Sequence, residues 1–127
     1  MRIYVEGTPV PMPRPRATSF GGKARMYQPK GRATEWKATI MRAFKGCIPI
    51  TEGRPVELEL NFYLPRPKSH YKTGKFAHIL RDDAPIFHLN KSDVDNLAKA
   101  VMDSMTDACV WHDDGQVSWL AGHSTCP

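Results

Sequence analysis

The chain has 127 residues, of which 41% are apolar and 24% charged, with a formal net charge of +5; that is apolar surface for one hydrophobic core, too little for two and too much for wholesale disorder. No apolar run reaches the roughly 18 residues a membrane helix needs, and the start Met1-Arg2-Ile3-Tyr4-Val5-Glu6 lacks a secretory hydrophobic stretch, so a single cytoplasmic domain over residues 1–127 with no membrane partner is expected. Cys47, Cys109 and Cys126 form no C-x-x-C pair, which excludes a disulfide framework and a zinc knuckle.

Ile3, Tyr4 and Val5 predict a strand over Arg2–Glu6 that Gly7 ends. Pro9, Pro11, Pro13 and Pro15 then recur at every second residue, which predicts an extended strip unable to donate to a sheet ladder. Without a P-x-x-P spacing this strip is no SH3 ligand; it either presents Arg14 and Arg16 to a partner or is a connector that they keep solvated. Gly21-Gly22 and Gly31 flank Arg25-Met26-Tyr27, a hairpin arm or a basic loop that also carries Lys23 and Lys30, with Arg32 just beyond. Trp36, Ile40, Met41 and Phe44 fall at helical spacing, with Thr34 as the expected N-cap and Gly46 as the stop.

Val56, Leu58, Leu60, Phe62 and Leu64 alternate with Glu57, Glu59, Asn61 and Tyr63, a half-buried strand that Pro65 and Pro67 end. Residues 65–92 are polar and irregular, a length of loop that is usually functional or mobile. Val94, Leu97, Ala98, Val101, Met102 and Met105 form one continuous helical stripe starting near Asp95, and Val110 with Val117–Leu120 suggests a last short strand or strand pair around Asp113-Asp114-Gly115. The expected fold class is α/β (α+β), a small mixed sheet with two main helices and about three to five strands.

Charge is distributed unevenly. Residues 1–45 hold ten Lys/Arg against Glu6 and Glu35, and residues 93–127 hold only Lys99 against six Asp. A basic half suits a polyanion such as nucleic acid, because each cation set on a phosphate releases condensed counterions. Six aspartates beside it repel one another and a polyanion unless divalent cations sit between them. Asp93 and Asp95 stand at a helix start, where a carboxylate either caps free N–H groups or, with its neighbour, converges on a hard cation such as Mg²⁺. Lys99, four residues past Asp95, is either an ordinary surface partner of it or a point charge for a scissile phosphate. Asp113-Asp114 is either a tight turn or a second carboxylate pair that meets the first. Asp103 and Asp107 read as the solvated face and end of the same helix. Cys47 and Cys109 read as small apolar packing residues.

Lys91-Ser92-Asp93-Val94-Asp95-Asn96-Leu97-Ala98-Lys99-Ala100-Val101-Met102-Asp103, followed by Val110-Trp111-His112-Asp113-Asp114-Gly115-Gln116-Val117, resembles the signature of the RusA family of Holliday-junction resolvases, and Gly7-Thr8-Pro9 to Arg14-Pro15-Arg16 is similar to that family's first strand and basic stretch. The resemblance covers essentially the whole chain. It implies metal binding by Asp93, Asp95 and Asp114 together with Asp113, with Mg²⁺ or Mn²⁺ as the ion and Lys99 aiding cleavage. It also implies a homodimer that cuts four-way DNA junctions, with no nucleotide cofactor. The departure is at the end: members run on into further strand, whereas this chain stops at Pro127, so its sheet is expected to be incomplete or closed by another chain.

The leading expectation is therefore a Mg²⁺-dependent, structure-selective endodeoxyribonuclease for branched DNA in recombination and repair. Its Arg14, Arg16, Lys23, Arg25, Lys30 and Arg32 would grip backbone rather than read bases. The alternatives are a non-catalytic basic DNA-binding or recombination accessory protein of phage origin, whose aspartates are caps and turns, and a degenerate relic of the enzyme.

Overall fold

A computed structural model describes residues 1–27, 31–87 and 93–126, except the side chain of Phe20. It is a mixed α/β chain of the expected class, with four strands in two separate two-stranded sheets and two α-helices among the described residues. Lys30, one of the expected DNA contacts, and Lys91-Ser92 of the motif lie outside the described residues. The strands are β1 (Arg16–Phe20), β2 (Lys23–Tyr27), β3 (Val56–Tyr63) and β4 (Val117–Thr125), and the helices are α1 (Arg32–Ala43) and α2 (Val94–Asp107).

Alternation builds β3 as expected: Val56, Leu58 and Leu60 are half-buried and Phe62 buried, while Glu57, Glu59, Asn61 and Tyr63 are exposed. Its partner is β4, which is longer than the sequence pattern suggested and runs parallel to it, from Val56 opposite Val117 to Tyr63 opposite Thr125. Parallel neighbours need a crossover, and α2 lies in it. The helix sits hard against the sheet: a Cβ on Gly122 of β4 would stand 2.7 Å from Val94 Cγ1, so only glycine admits the first turn of α2 there. Leu97, Val101 and Met105 of α2 join Trp36 and Ile40 of α1, Phe62, Leu64, Val110 and Trp111 in one buried cluster.

Three local expectations change. Arg2–Glu6 joins no ladder among the described residues; the prolines that follow cannot donate, and the apolar side chains of Val5 and Val10 pack on the core instead. The strip stays half-buried through Pro13, is held by the Met12 N–H donating to the Asn96 carbonyl (3.1 Å), and emerges into solvent at Arg14. Helix α1 begins at Arg32, not after Thr34, because Gly31 takes a φ of 139° that glycine permits, and its carbonyl accepts from Thr34 N (2.9 Å) and Glu35 N (3.2 Å). Cys109 is exposed rather than packed, and its φ of 57° is the left-handed residue that ends α2. The Val110 and Cys109 amides there donate back to the carbonyls of Met105 and Thr106, both at 3.0 Å.

An ion pair between Lys37 of α1 and Asp107 of α2 joins the two helices, with both side chains about half exposed. At that exposure it contributes at most about 0.5 kcal/mol. Lys37→Ala should accordingly move the thermal midpoint by no more than about 2 °C, read by circular dichroism, and a larger drop would make the pair structural.

Candidate active site

Two segments carry the aspartates, and α2 lies between them. Asp93 is the N-cap residue of α2, with extended φ and ψ of −65° and 136°, and its backbone carbonyl accepts from Leu97 N at 3.1 Å. Its side chain makes no capping hydrogen bond, although a carboxylate at this position ordinarily satisfies a free N–H of the first turn. Asp95 in that first turn and Lys99 one turn on are both exposed. Because the proline strip is bonded to Asn96, the chain leading to Arg14 passes directly beside this helix start.

The second segment follows Trp111. Asp113 is extended, and its Oδ1 accepts from Gly115 N at 2.6 Å, so this carboxylate shapes the turn; Asp114 opens the short 3₁₀ turn Asp114–Gln116 and is exposed. Gln116 ties the turn to the chain before β3. Its Oε1 accepts from His112 N (2.9 Å), and its Nε2 donates to the carbonyls of Thr51 and Arg54, both at 3.0 Å. Next to this tie an open surface cavity of about 390 Å³ is lined by Glu52, Arg54, His112, Asp113, Gln116 and Ser118.

Asp103 was expected on the solvated face. It is half-buried, and burial pushes its carboxyl above the usual carboxylate range; Lys99 and Lys37 draw it back, while Asp114 and Asp107 push it further. The turn that carries Asp114 packs against α2, which puts Asp114 and Lys99 within electrostatic reach of Asp103. The shared face was legible in the sequence, since Asp95, Lys99, Asp103 and Asp107 recur at intervals of four, but nothing there marked Asp103 as half-buried. Gln116 gave no such signal, because a glutamine after a turn has many uses and its partners are 65 and 62 residues away.

The donors suit a hard divalent cation: they are carboxylate oxygens, exposed at Asp93, Asp95 and Asp114. Among the described residues no three His, Cys, Asp or Glu side chains stand together closely enough to hold a metal ion, so the two aspartate pairs are not gathered into one preformed cage. Arg14, Arg16, Lys23, Arg25 and Arg32 are all exposed.

Gln116→Ala removes three hydrogen bonds at once and frees the turn from the chain before β3. With Asp114 in the role the resemblance implies, it should lower the rate of junction cleavage about tenfold or more with a smaller effect on DNA affinity, since each neutral bond contributes only about 1 kcal/mol to stability but together they fix the turn that carries Asp114. Equal rates in parent and variant would reduce the tie to a loop contact.

A small α+β chain that sets exposed paired aspartates and a lysine along one helix, beside a strongly basic segment, has the makings of a phosphodiesterase acting on nucleic acid. Residues 6–125 match the family described as endodeoxyribonuclease RusA, and the chain belongs to that family. It is therefore an endodeoxyribonuclease, and branched DNA of the Holliday-junction kind is its substrate class. The chain is also 29% identical over 118 residues to the uncharacterized protein YqaN of Bacillus subtilis (strain 168), an overlap of 92% of this chain and 81% of that protein. No helix among the described residues is long and apolar enough to cross a membrane.

Proposed function

We propose that the chain is a divalent-metal-dependent resolvase of four-way DNA junctions, acting as a homodimer of one-domain subunits, with Asp93, Asp95, Asp113 and Asp114 as the ligand set. The observation that carries this reading is the free carboxylate of Asp93: a residue kept only as a helix cap would bond the first turn, and this one does not. Held there, Mg²⁺ or Mn²⁺ would supply an activated water and neutralise charge on the departing oxygen. Lys99, one turn beyond Asp95, acts as a compact point charge toward the scissile phosphate and offsets charge that builds on it. Asp113, already holding Gly115, has one oxygen committed to the turn, which leaves Asp114 the freer donor of that pair. The cations of residues 14–32 bind backbone and so favour shape over base sequence. Two cuts on symmetry-related strands match a two-fold pair of sites.

The test is a synthetic four-way junction incubated with the chain in Mg²⁺, Mn²⁺ or chelator. Paired nicks in either metal and none in chelator are expected, with light scattering giving twice the 14.3 kDa chain mass. Tight binding with no nick in any metal would return the chain to the accessory-protein reading.

A further inference from the structure

The hairpin of β1 and β2 lies outside the core cluster. Every described side chain in Arg16–Ser19 and Lys23–Tyr27 is exposed, and a two-stranded ribbon with neither face covered is marginal in water by itself. Its turn is nonetheless well specified: Gly21 and Gly22 have φ of 59° and 76°, the two positive values that match a two-residue turn to the twist of the strands.

The register sorts the ribbon into two unlike faces. Arg16 opposite Tyr27 and Thr18 opposite Arg25 share a face with Lys23, whereas Ala17 opposite Met26 and Ser19 opposite Ala24 make the other. All three cations of the ribbon are on one side, the other side is uncharged, and the sequence has no Asp or Glu between Glu6 and Glu35. Same-face residues such as Lys23 and Arg25 recur about every 6.6 Å along a strand, so the cations form a row along the ribbon that can meet successive phosphates rather than a single one. The ribbon starts two residues after the strip emerges at Arg14, and the strip is bonded to the start of α2 through Met12 and Asn96.

We propose that the β1–β2 ribbon is an arm that lies along the sugar-phosphate backbone of one duplex arm of the branched substrate, with the Arg16–Arg25–Lys23 face on the phosphates. The proposal rests on the junction reading above and adds where the duplex is held. Charge complementarity selects DNA as the occupant, since a second copy of the chain would meet the same cations. Five-residue strands are about 16 Å long, enough to follow roughly five base-pair rises.

The experiment measures binding to a four-way junction in chelator, over a range of salt, for the parent, for the triple variant Arg16→Gln, Lys23→Gln, Arg25→Gln, for Arg25→Gln alone, and for the neutral-face variant Ala17→Ser, Met26→Gln. With each variant shown folded by circular dichroism, the slope of log K against log salt should fall by up to about 2.7 for the triple and about 0.9 for the single variant, at about 0.9 per phosphate contact, and stay at the parent value for the neutral face. Hydroxyl-radical footprints should show a protected patch on the duplex arm that the triple variant loses while protection at the branch persists. An unchanged slope, or loss of protection at the branch instead of the arm, overturns the arm. A neutral-face variant of altered molecular mass does so too, by making a second copy the occupant. Because no metal is needed, a parent that binds through the ribbon and never nicks a junction overturns the nuclease reading alone.

Discussion

Asp95→Asn should fold like the parent and lose junction cleavage in Mg²⁺ by at least about a hundredfold, since losing a residue merely adjacent to metal ligands already costs about 10–100-fold. The substitution keeps size and hydrogen-bonding capacity and removes one charge. The side chain is exposed in the first turn of α2, so the structural loss is confined to its interaction with the helix dipole, about 0.3–1 kcal/mol. Rate separates the two roles left open for this residue: both predict a small drop in midpoint, but a helix-start charge predicts normal cleavage and a ligand predicts lost cleavage. Affinity for the uncut junction in chelator should hold or rise, because one negative charge beside the DNA backbone is gone. A variant that cuts at the parent's rate removes Asp95 from the ligand set.

The second large effect lies two residues along, on the opposite side of α2. Leu97 is fully buried and belongs to the cluster that joins α2 to α1 and the sheet. Leu97→Ala should cost about 3–4 kcal/mol, the lost transfer energy plus the cavity left behind. Against a total of roughly 5–15 kcal/mol this is a large share, and the midpoint should fall by about 10–15 °C. Cleavage should persist well below the new midpoint, because Leu97 faces inward while Asp95 and Lys99 face solvent. A fall of less than about 3 °C would show that the helix is not anchored through this side chain.

Both variants sit on the element that was easiest to read. The stripe from Val94 to Met105 and the alternation from Val56 to Leu64 are local patterns, and burial follows them except at Ser104, which is fully buried though outside the stripe. Reading failed where the outcome depended on something distant or on backbone freedom. Ile3, Tyr4 and Val5 have strand character but pair with no strand among the described residues, and Gly31 overrides the cap signal at Thr34 by starting α1 earlier. The choice between hairpin and loop over residues 17–27 turned on whether both glycines take positive φ, which composition does not decide. In the site, the aspartates of the motif were visible at once, but the half-burial of Asp103 was not. The turn after Trp111 also returns against α2, a contact with no local signature.

The parallel pairing of β3 with β4 bears on the order in which the molecule assembles. Ser118 Oγ reaches the Val56 carbonyl across 62 residues of chain, and both aspartate pairs lie within the stretch thereby closed. Joining ends so far apart is slow compared with winding a helix, because loop entropy is lost before the ladder compensates it. Helix α2 can form early, with Asp93 and Asp95 at its start, whereas the Gln116 bonds to Thr51 and Arg54 that hold the Asp113–Asp114 turn form only when the crossover shuts. On the proposed ligand set, a nascent or heat-loosened chain would hold the helix-start pair before the second pair is tied down, so the ability to cut DNA would come with the least local step of folding.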